Sequence, residues 1–294
     1  MKTALDIAIV ILTVSMMFSV GLELETRHFR ELARNKRAFL SALIGQMVVL
    51  PAIGIFVVHT IPLPESLQMG ILLLAACPVG DVANFYALIA GGDPALAVAV
   101  NAASSLLSCL SMPVVFGIYS KATGTEFPFS VPAVTLVGRL ILLVAIPIAG
   151  GMGLRAVRTS LADKVSQKLR KACVAGVLVF CMVMVGSRHE QIRSDWRTIS
   201  LASVSLIVLA FAGGWAIGQV LKLKRLEVIT LAILLPVRNV GLAVTIAVTL
   251  MDRLEYVVLA TVYFLTESFF LLGSAVLFRY LWPATPGHTP LADG

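Results

Sequence analysis

The chain has 294 residues, of which 59% are hydrophobic and 13% charged, and its mean hydropathy is +0.95. That apolar share exceeds the roughly 45–50% of a soluble domain and excludes an ordinary water-soluble enzyme, leaving lipid as the solvent. The formal charge of +7 would point to nucleic acid in a soluble protein; here it reports how Lys and Arg are distributed around membrane spans, and no nucleic-acid partner is expected.

A spanning helix needs about 20 mostly apolar residues. In chain order such windows fall near 4–23, 38–60, 66–91, 94–119, 131–155, 171–187, 199–220, 226–250 and 255–281. The first run is too long for the apolar region of a signal peptide and is predicted to be the first span. The stretch ELETRHFRELARNKR that follows, from Glu23, carries alternating charge at helical spacing and is predicted to lie as an amphipathic helix on the membrane surface. The four cysteines, Cys77, Cys109, Cys173 and Cys181, all sit in apolar segments without CxxC spacing, so they read as small buried hydrophobes. The tail 283–294, rich in Pro and Gly, is predicted to be disordered. With the spans alternating, fifteen Lys and Arg collect on one side and six on the other. This bias places the amino terminus outside and the carboxyl terminus in the cytoplasm of a multi-pass protein of the cell (inner) membrane.

Two windows are interrupted at mid-depth. The third reads SLQMGILLLAACPVGDVANFYALIAGGD and the eighth EVITLAILLPVRNVGLAVTIAVTL, and both share a Pro-Val-x-x-Val order at Pro78 and Pro236. A proline kink repaired by neighbouring groups is one reading of either segment alone. Two of them, one running inward and one outward, give the pattern of an inverted repeat, whose paired broken helices mark a transport site at the bilayer midplane. The expected fold is therefore an all-α polytopic membrane protein of about nine transmembrane helices, four in a first repeat (about 4–119) and five in a second (about 131–281), within one integral domain, 1–282.

Enzyme motifs are weak: GMGLRA at Gly151 follows a span without the acidic residue a dinucleotide site needs, and the histidines are scattered. Asp81 and Ser104 have no nearby base, so no enzyme is expected. A channel would want a continuous polar lining, whereas the polar residues here cluster on the two interrupted helices. A channel or a membrane receptor remains the alternative to a transporter.

Three stretches, GQMVVLP at Gly45, ACPVGDVANFYALIAGGDPALAVAVNAASSLLSCLSMP at Ala76 and RNVGLAV at Arg238, resemble the bile acid:sodium symporter family over nearly the whole chain. The resemblance implies panel and core domains, two broken helices crossing in the core, and secondary active transport of small organic anions by alternating access, usually with sodium. Position by position it implies that Gln46, Asn84 and Asn239 keep family ligand places. Leu234 stands for a usual glutamate, Arg238 for a glutamine, Ala83 and Ala97 for hydroxyl residues, and Asn101 for a threonine. Sodium ligands, if the ion binds, would be Gln46, Asn84 and Asn101, and no other cofactor is implied.

A sodium ion within about 4–6 Å of a fixed guanidinium in a low-dielectric site would be opposed by several kcal/mol. Arg238 is therefore expected to replace the ion as a tethered cation, because it cannot deprotonate. A lone arginine at mid-membrane usually finds a partner. Asp81 is the expected one, as an N-terminal cap of its half-helix; Glu267 and Arg139 also fall inside spans, bringing the intramembrane charge to zero. Such a pair would either hold the crossing shut or open with substrate or protonation, and Asp81 and Glu267 are the candidate proton carriers.

Overall fold

The computed structural model describes residues 2–24, 35–124, 129 and 132–281. The surface helix expected after Glu23 falls mostly on 25–34 and the expected disordered tail on 283–294, both outside the described residues. Among the described residues the chain is almost entirely helical.

Helix α1 spans Lys2–Glu23 and α2 spans Lys36–Thr60. The first interrupted window gives two half-helices, α3 (Glu65–Ala76) and α4 (Val82–Ile89). There follow α5 (Pro94–Thr123), α6 (Ala133–Val157), α7 (Thr159–Ser187), a short α8 (His189–Ser194) and α9 (Trp196–Val220). The second interrupted window gives α10 (Arg225–Leu234) and α11 (Val240–Thr249), and α12 (Tyr256–Leu281) ends the described chain. Six of these, α2, α5, α6, α7, α9 and α12, are long and apolar enough to cross a membrane.

The breaks follow from proline. A residue before proline is pushed out of the helical region, and Cys77, before Pro78, is extended at φ −68° and ψ 152°, which ends α3. Pro236 follows the end of α10 differently: Leu235 before it keeps helical angles, φ −64° and ψ −41°, and the chain leaves the helix at the proline, which has no N–H to continue it. Prolines also mark two widened turns inside continuous helices: the π turns Gly45–Val49 in α2 and Ile141–Ala145 in α6 lie just ahead of Pro51 and Pro147. The ring of a proline clashes with the carbonyl four residues earlier, and a π turn gives that carbonyl room. Helix α7 begins twelve residues before the predicted 171, because the charged lead-in TSLADKVSQKLRK is made largely of good helix formers.

The two broken helices are the centre of the molecule: every residue from Glu227 to Val248 is buried, as are residues 69–80. Most of the large apolar residues left exposed, such as Leu142, Val179 and Phe269, lie on the surrounding helices, as expected where lipid is the solvent. Close packing without a hydrophobic drive needs small residues. A Cβ on Gly21 of α1 would stand 2.1 Å from the Ile148 carbonyl oxygen of α6, and one on Gly151 of α6 would stand 2.3 Å from the Phe18 carbonyl oxygen. These two helices therefore touch backbone to backbone. On the far side of α1, the Thr13 hydroxyl donates to the Gly241 carbonyl at 3.1 Å and lies 2.6 Å from the Thr245 hydroxyl, tying α1 to α11.

Candidate functional site: the crossing of the two breaks

The breaks meet. Val79 and Arg238 form an isolated antiparallel β-bridge, in which the Gly80 amide donates to the Val237 carbonyl at 3.3 Å and the Asn239 amide to the Pro78 carbonyl at 3.0 Å. Each break thus answers backbone groups the other has lost from its helix, as membrane depth requires. Only glycine fits at position 80, since a Cβ there would be 2.6 Å from the Arg238 carbonyl oxygen. Neighbouring helices complete the repair: the Val79 amide donates to the Ser104 hydroxyl at 3.3 Å, and the Tyr263 hydroxyl to the Pro236 carbonyl at 2.5 Å.

Arg238 is 1% exposed, among the largest fully buried side chains described. Its guanidinium donates to the Cys77 carbonyl at 2.9 Å, to Gln46 Oε1 at 2.5 Å and to the Leu234 carbonyl at 3.1 Å. Gln46 Nε2 also donates to the Leu234 carbonyl, at 3.0 Å. The side chain is therefore caged by one oxygen from each break and one from the π turn of α2. The nearest acid is Glu267 of α12, fully buried, whose Oε2 accepts the backbone N–H of Arg238 at 3.4 Å.

The expected Asp81–Arg238 ion pair does not form, nor does Asp81 cap α4. Asp81 has helical backbone angles and no side-chain cap bond; Asn101 Nδ2 donates to its Oδ1 at 3.4 Å instead. Asn239, by contrast, caps α11: its Oδ1 accepts the Leu242 amide at 2.9 Å. The reason is geometric, for the β-bridge between the breaks sends Arg238 toward α2 while Asp81 faces α5 and α1. Arg139 is exposed on α6 and does not belong to the buried interior. Among the described residues the buried charged side chains are Glu227, Arg238 and Glu267.

The predicted residues thus separate into two groups. Gln46 and Glu267 both meet Arg238, the first at its guanidinium and the second at its backbone N–H. Asp81, Asn84 and Asn101 lie on the other side of the crossing, where Asn84 Nδ2 donates to Glu23 Oε2 at 3.1 Å and Arg170 of α7 reaches Glu23 Oε1 at 3.3 Å. Ala83 and Ala97 are wholly buried and share one apolar cluster with Leu234; no oxygen from their side chains is available to a cation. Three groups were not foreseen. Glu23 was read as part of a surface helix, yet it ends α1 facing Asn84. Arg170 was read as a cytoplasmic charge, and Tyr263 passed as an unremarked aromatic in an apolar run. For Glu23 a signal existed: the apolar run continues through Leu24, which is buried.

The profile of the Sodium Bile acid symporter family matches residues 10–195, more than half of the chain. Among similar proteins is one named "Uncharacterized sodium-dependent transporter YocS" of Bacillus subtilis, 25% identical over 235 residues, or 79% of this chain. The chloroplastic protein of Arabidopsis thaliana named "Probable sodium/metabolite cotransporter BASS1" is 26% identical over 239 residues, 81% of this chain. Sodium/bile acid cotransporter 4 of Mus musculus is 26% identical over 211 residues, 70% of this chain. The chain spans 70%, 58% and 48% of the respective lengths of these relatives. Apolar spanning helices, proline-broken segments that cross, and the matched profile lead to one conclusion: this multi-pass membrane chain belongs to the sodium bile acid symporter family, whose members are transporters and not enzymes.

Proposed function

We propose that the chain is a secondary active transporter of small organic anions that works by alternating access, with the guanidinium of Arg238 standing where a coupling cation would stand. The observation that carries this reading is the cage of Gln46 Oε1, the Cys77 carbonyl and the Leu234 carbonyl around one buried guanidinium. Unwound carbonyls joined by a side-chain amide oxygen are the ligand chemistry of a monovalent cation at a broken helix. Here a covalently attached cation occupies that chemistry. The apolar wall of Ala83, Ala97 and Leu234 supports the same reading, because it offers a second ion neither carboxylate nor hydroxyl.

Taking α3 with α4 and α10 with α11 as one crossing each gives nine crossings, four then five, with the broken element next to last in each half. The two halves then run in opposite directions, as in an inverted repeat. Helices α1, α6 and α7 form the panel, and the remaining long helices and the two broken ones form the core. The half-helix amino termini at Val82 and Val240 face the crossing, where their dipoles favour an anion.

Purified protein in lipid vesicles tests the proposal: uptake of organic anion down its own gradient is expected to proceed equally in sodium, potassium or choline. A strict need for sodium would overturn the tethered-cation reading. Asp81 and Glu267 are the acids able to carry a coupling proton, and an imposed pH gradient on the same vesicles reads their contribution.

A further inference from the structure

We propose that the organic anion taken at this crossing also carries an ammonium group, so that the substrate class is a small zwitterion such as an aminocarboxylate or aminosulfonate. The inference rests on reading the crossing as the substrate site, and it starts from the charges there. The two terminal nitrogens of Arg238 are held by three oxygens, with Nε left unpartnered and Glu267 on its backbone N–H, so its charge stays on the α2 side of the crossing. Glu23 is matched by Arg170. Asp81 is left over. It is partly open, and among the described residues no cation comes within ion-pair distance of it; its Oδ1 accepts one long bond, from Asn101. A plain carboxylate entering beside it would meet a second negative charge, with no cation among the described residues paired to Asp81.

The unsatisfied atoms point the same way. Buried polar groups are nearly always hydrogen-bonded, and each exception asks for an explanation. Asn101, 2% exposed and with its amide turned to Asp81, has no partner for Oδ1, and Asn84 has none for its Oδ1. These are two acceptors without donors, flanking a carboxylate without a cation. Across the crossing Asn239, 1% exposed, has no partner for Nδ2, a donor without an acceptor at the start of α11. An ammonium supplies N–H donors to Asp81, Asn84 and Asn101. A carboxylate or sulfonate on the same molecule accepts from Asn239 Nδ2, beside the positive end of the α11 dipole. The acceptors need N–H groups, which favours a primary or secondary ammonium over a quaternary one.

The test uses the full chain in lipid nanodiscs at pH 7. Amino acids, β-alanine and taurine are each compared with the counterpart lacking the amine and the counterpart lacking the acid, by calorimetric titration and thermal stabilisation. A charge-assisted hydrogen bond contributes about one to two factors of ten in affinity. Members of the zwitterion series are therefore expected to bind at least about tenfold tighter than either counterpart, and Asp81→Asn to abolish that preference while leaving the melting curve of the unliganded protein in place. Plain acids that bind as tightly as zwitterions overturn the inference and leave the organic-anion reading standing; plain acids whose binding strengthens on acidification do the same and mean that Asp81 carries a proton instead. Failure of all three series to bind overturns both readings. The wild-type comparison needs no variant, so it decides the question even if Asp81→Asn does not fold.

Discussion

Replacing Arg238 by Gln removes the fixed cation and leaves its cage. Three hydrogen bonds are lost, at 2.9, 2.5 and 3.1 Å, and the buried Glu267 keeps its charge with no counter-charge in the interior. Removing one member of a buried charge set costs about 3–5 kcal/mol, mostly through the group left unpaired. At 2–4 °C per kcal/mol for a chain of this size, a loss of about 3 kcal/mol lowers the melting temperature by roughly 6–12 °C. The tethered-cation reading predicts something more specific. The vacated space is lined by Gln46 Oε1, the Cys77 and Leu234 carbonyls and the new glutamine oxygen, so the variant gains a sodium site that the parent lacks. At a sodium concentration 100 times its dissociation constant, binding returns about 2.7 kcal/mol, nearly the whole loss. The assay is a melting series in detergent, in sodium and in potassium, for both proteins. The reasoning is refuted if the parent is the one stabilised by sodium, or if the variant melts as the parent does and ignores the ion.

Glu267→Gln combined with Arg238→Gln removes both charges that meet at residue 238, so the double variant is expected to melt above Arg238→Gln alone, with a coupling energy above about 1 kcal/mol; additive losses would show that the two residues do not share their charge. Asp81→Asn, which meets Arg238 nowhere in the structure, is expected to give no such rescue. Gly80→Ala is expected to abolish transport and cost about 1–3 kcal/mol, because its Cβ would press on the Arg238 carbonyl at 2.6 Å and part the two breaks. Gly117→Ala, with nothing within 4 Å of the new methyl, serves as the matched control and should be neutral or stabilising by up to about 1 kcal/mol; uptake assays and melting curves read all four variants.

The broken helices were legible from sequence because proline acts locally: Pro78 and Pro236 each dictate the backbone within a residue or two, whatever the rest of the fold does. Their role as the buried centre was legible too, since a cluster of polar residues at mid-depth has to find partners inside the protein. What the sequence did not show was which partners. Arg238 and Asp81 lie two and three residues after the prolines of two related motifs, and electroneutrality alone pairs them. The antiparallel bridge between the breaks determines otherwise, and that bridge depends on Gly80 letting two backbones touch, a three-dimensional fact with no periodic signature. Glu23 was missed for a related reason: the segment that follows it in sequence is rich in charge, while its neighbours in space, Asn84 and Arg170, come from chain segments about 60 and 150 positions away.

A tethered cation changes what the transport cycle must do. A diffusible ion binds, stabilises one state and leaves, and the free energy of its gradient enters through those two steps. Arg238 can do neither; it is covalently present in every state and contributes the same charge to each, so on the proposed reading it lowers the cost of holding the crossing together without linking that state to an ion gradient. Its hydrogen bonds reach oxygens on both breaks and on α2 and so tie the crossing together; on the same proposed reading α1, with Thr13 on α11 and Glu23 on Asn84, is the element whose contacts exchange as access alternates. Each of those contacts is a polar bond between membrane helices, worth on average about 0.6 kcal/mol where such pairs have been measured, small enough for a bound ligand to tip. The driving force would then have to come from the ligand's own gradient or from a proton on Asp81 or Glu267, and the charge left over at Asp81 makes the ligand's charge the variable on which that choice turns.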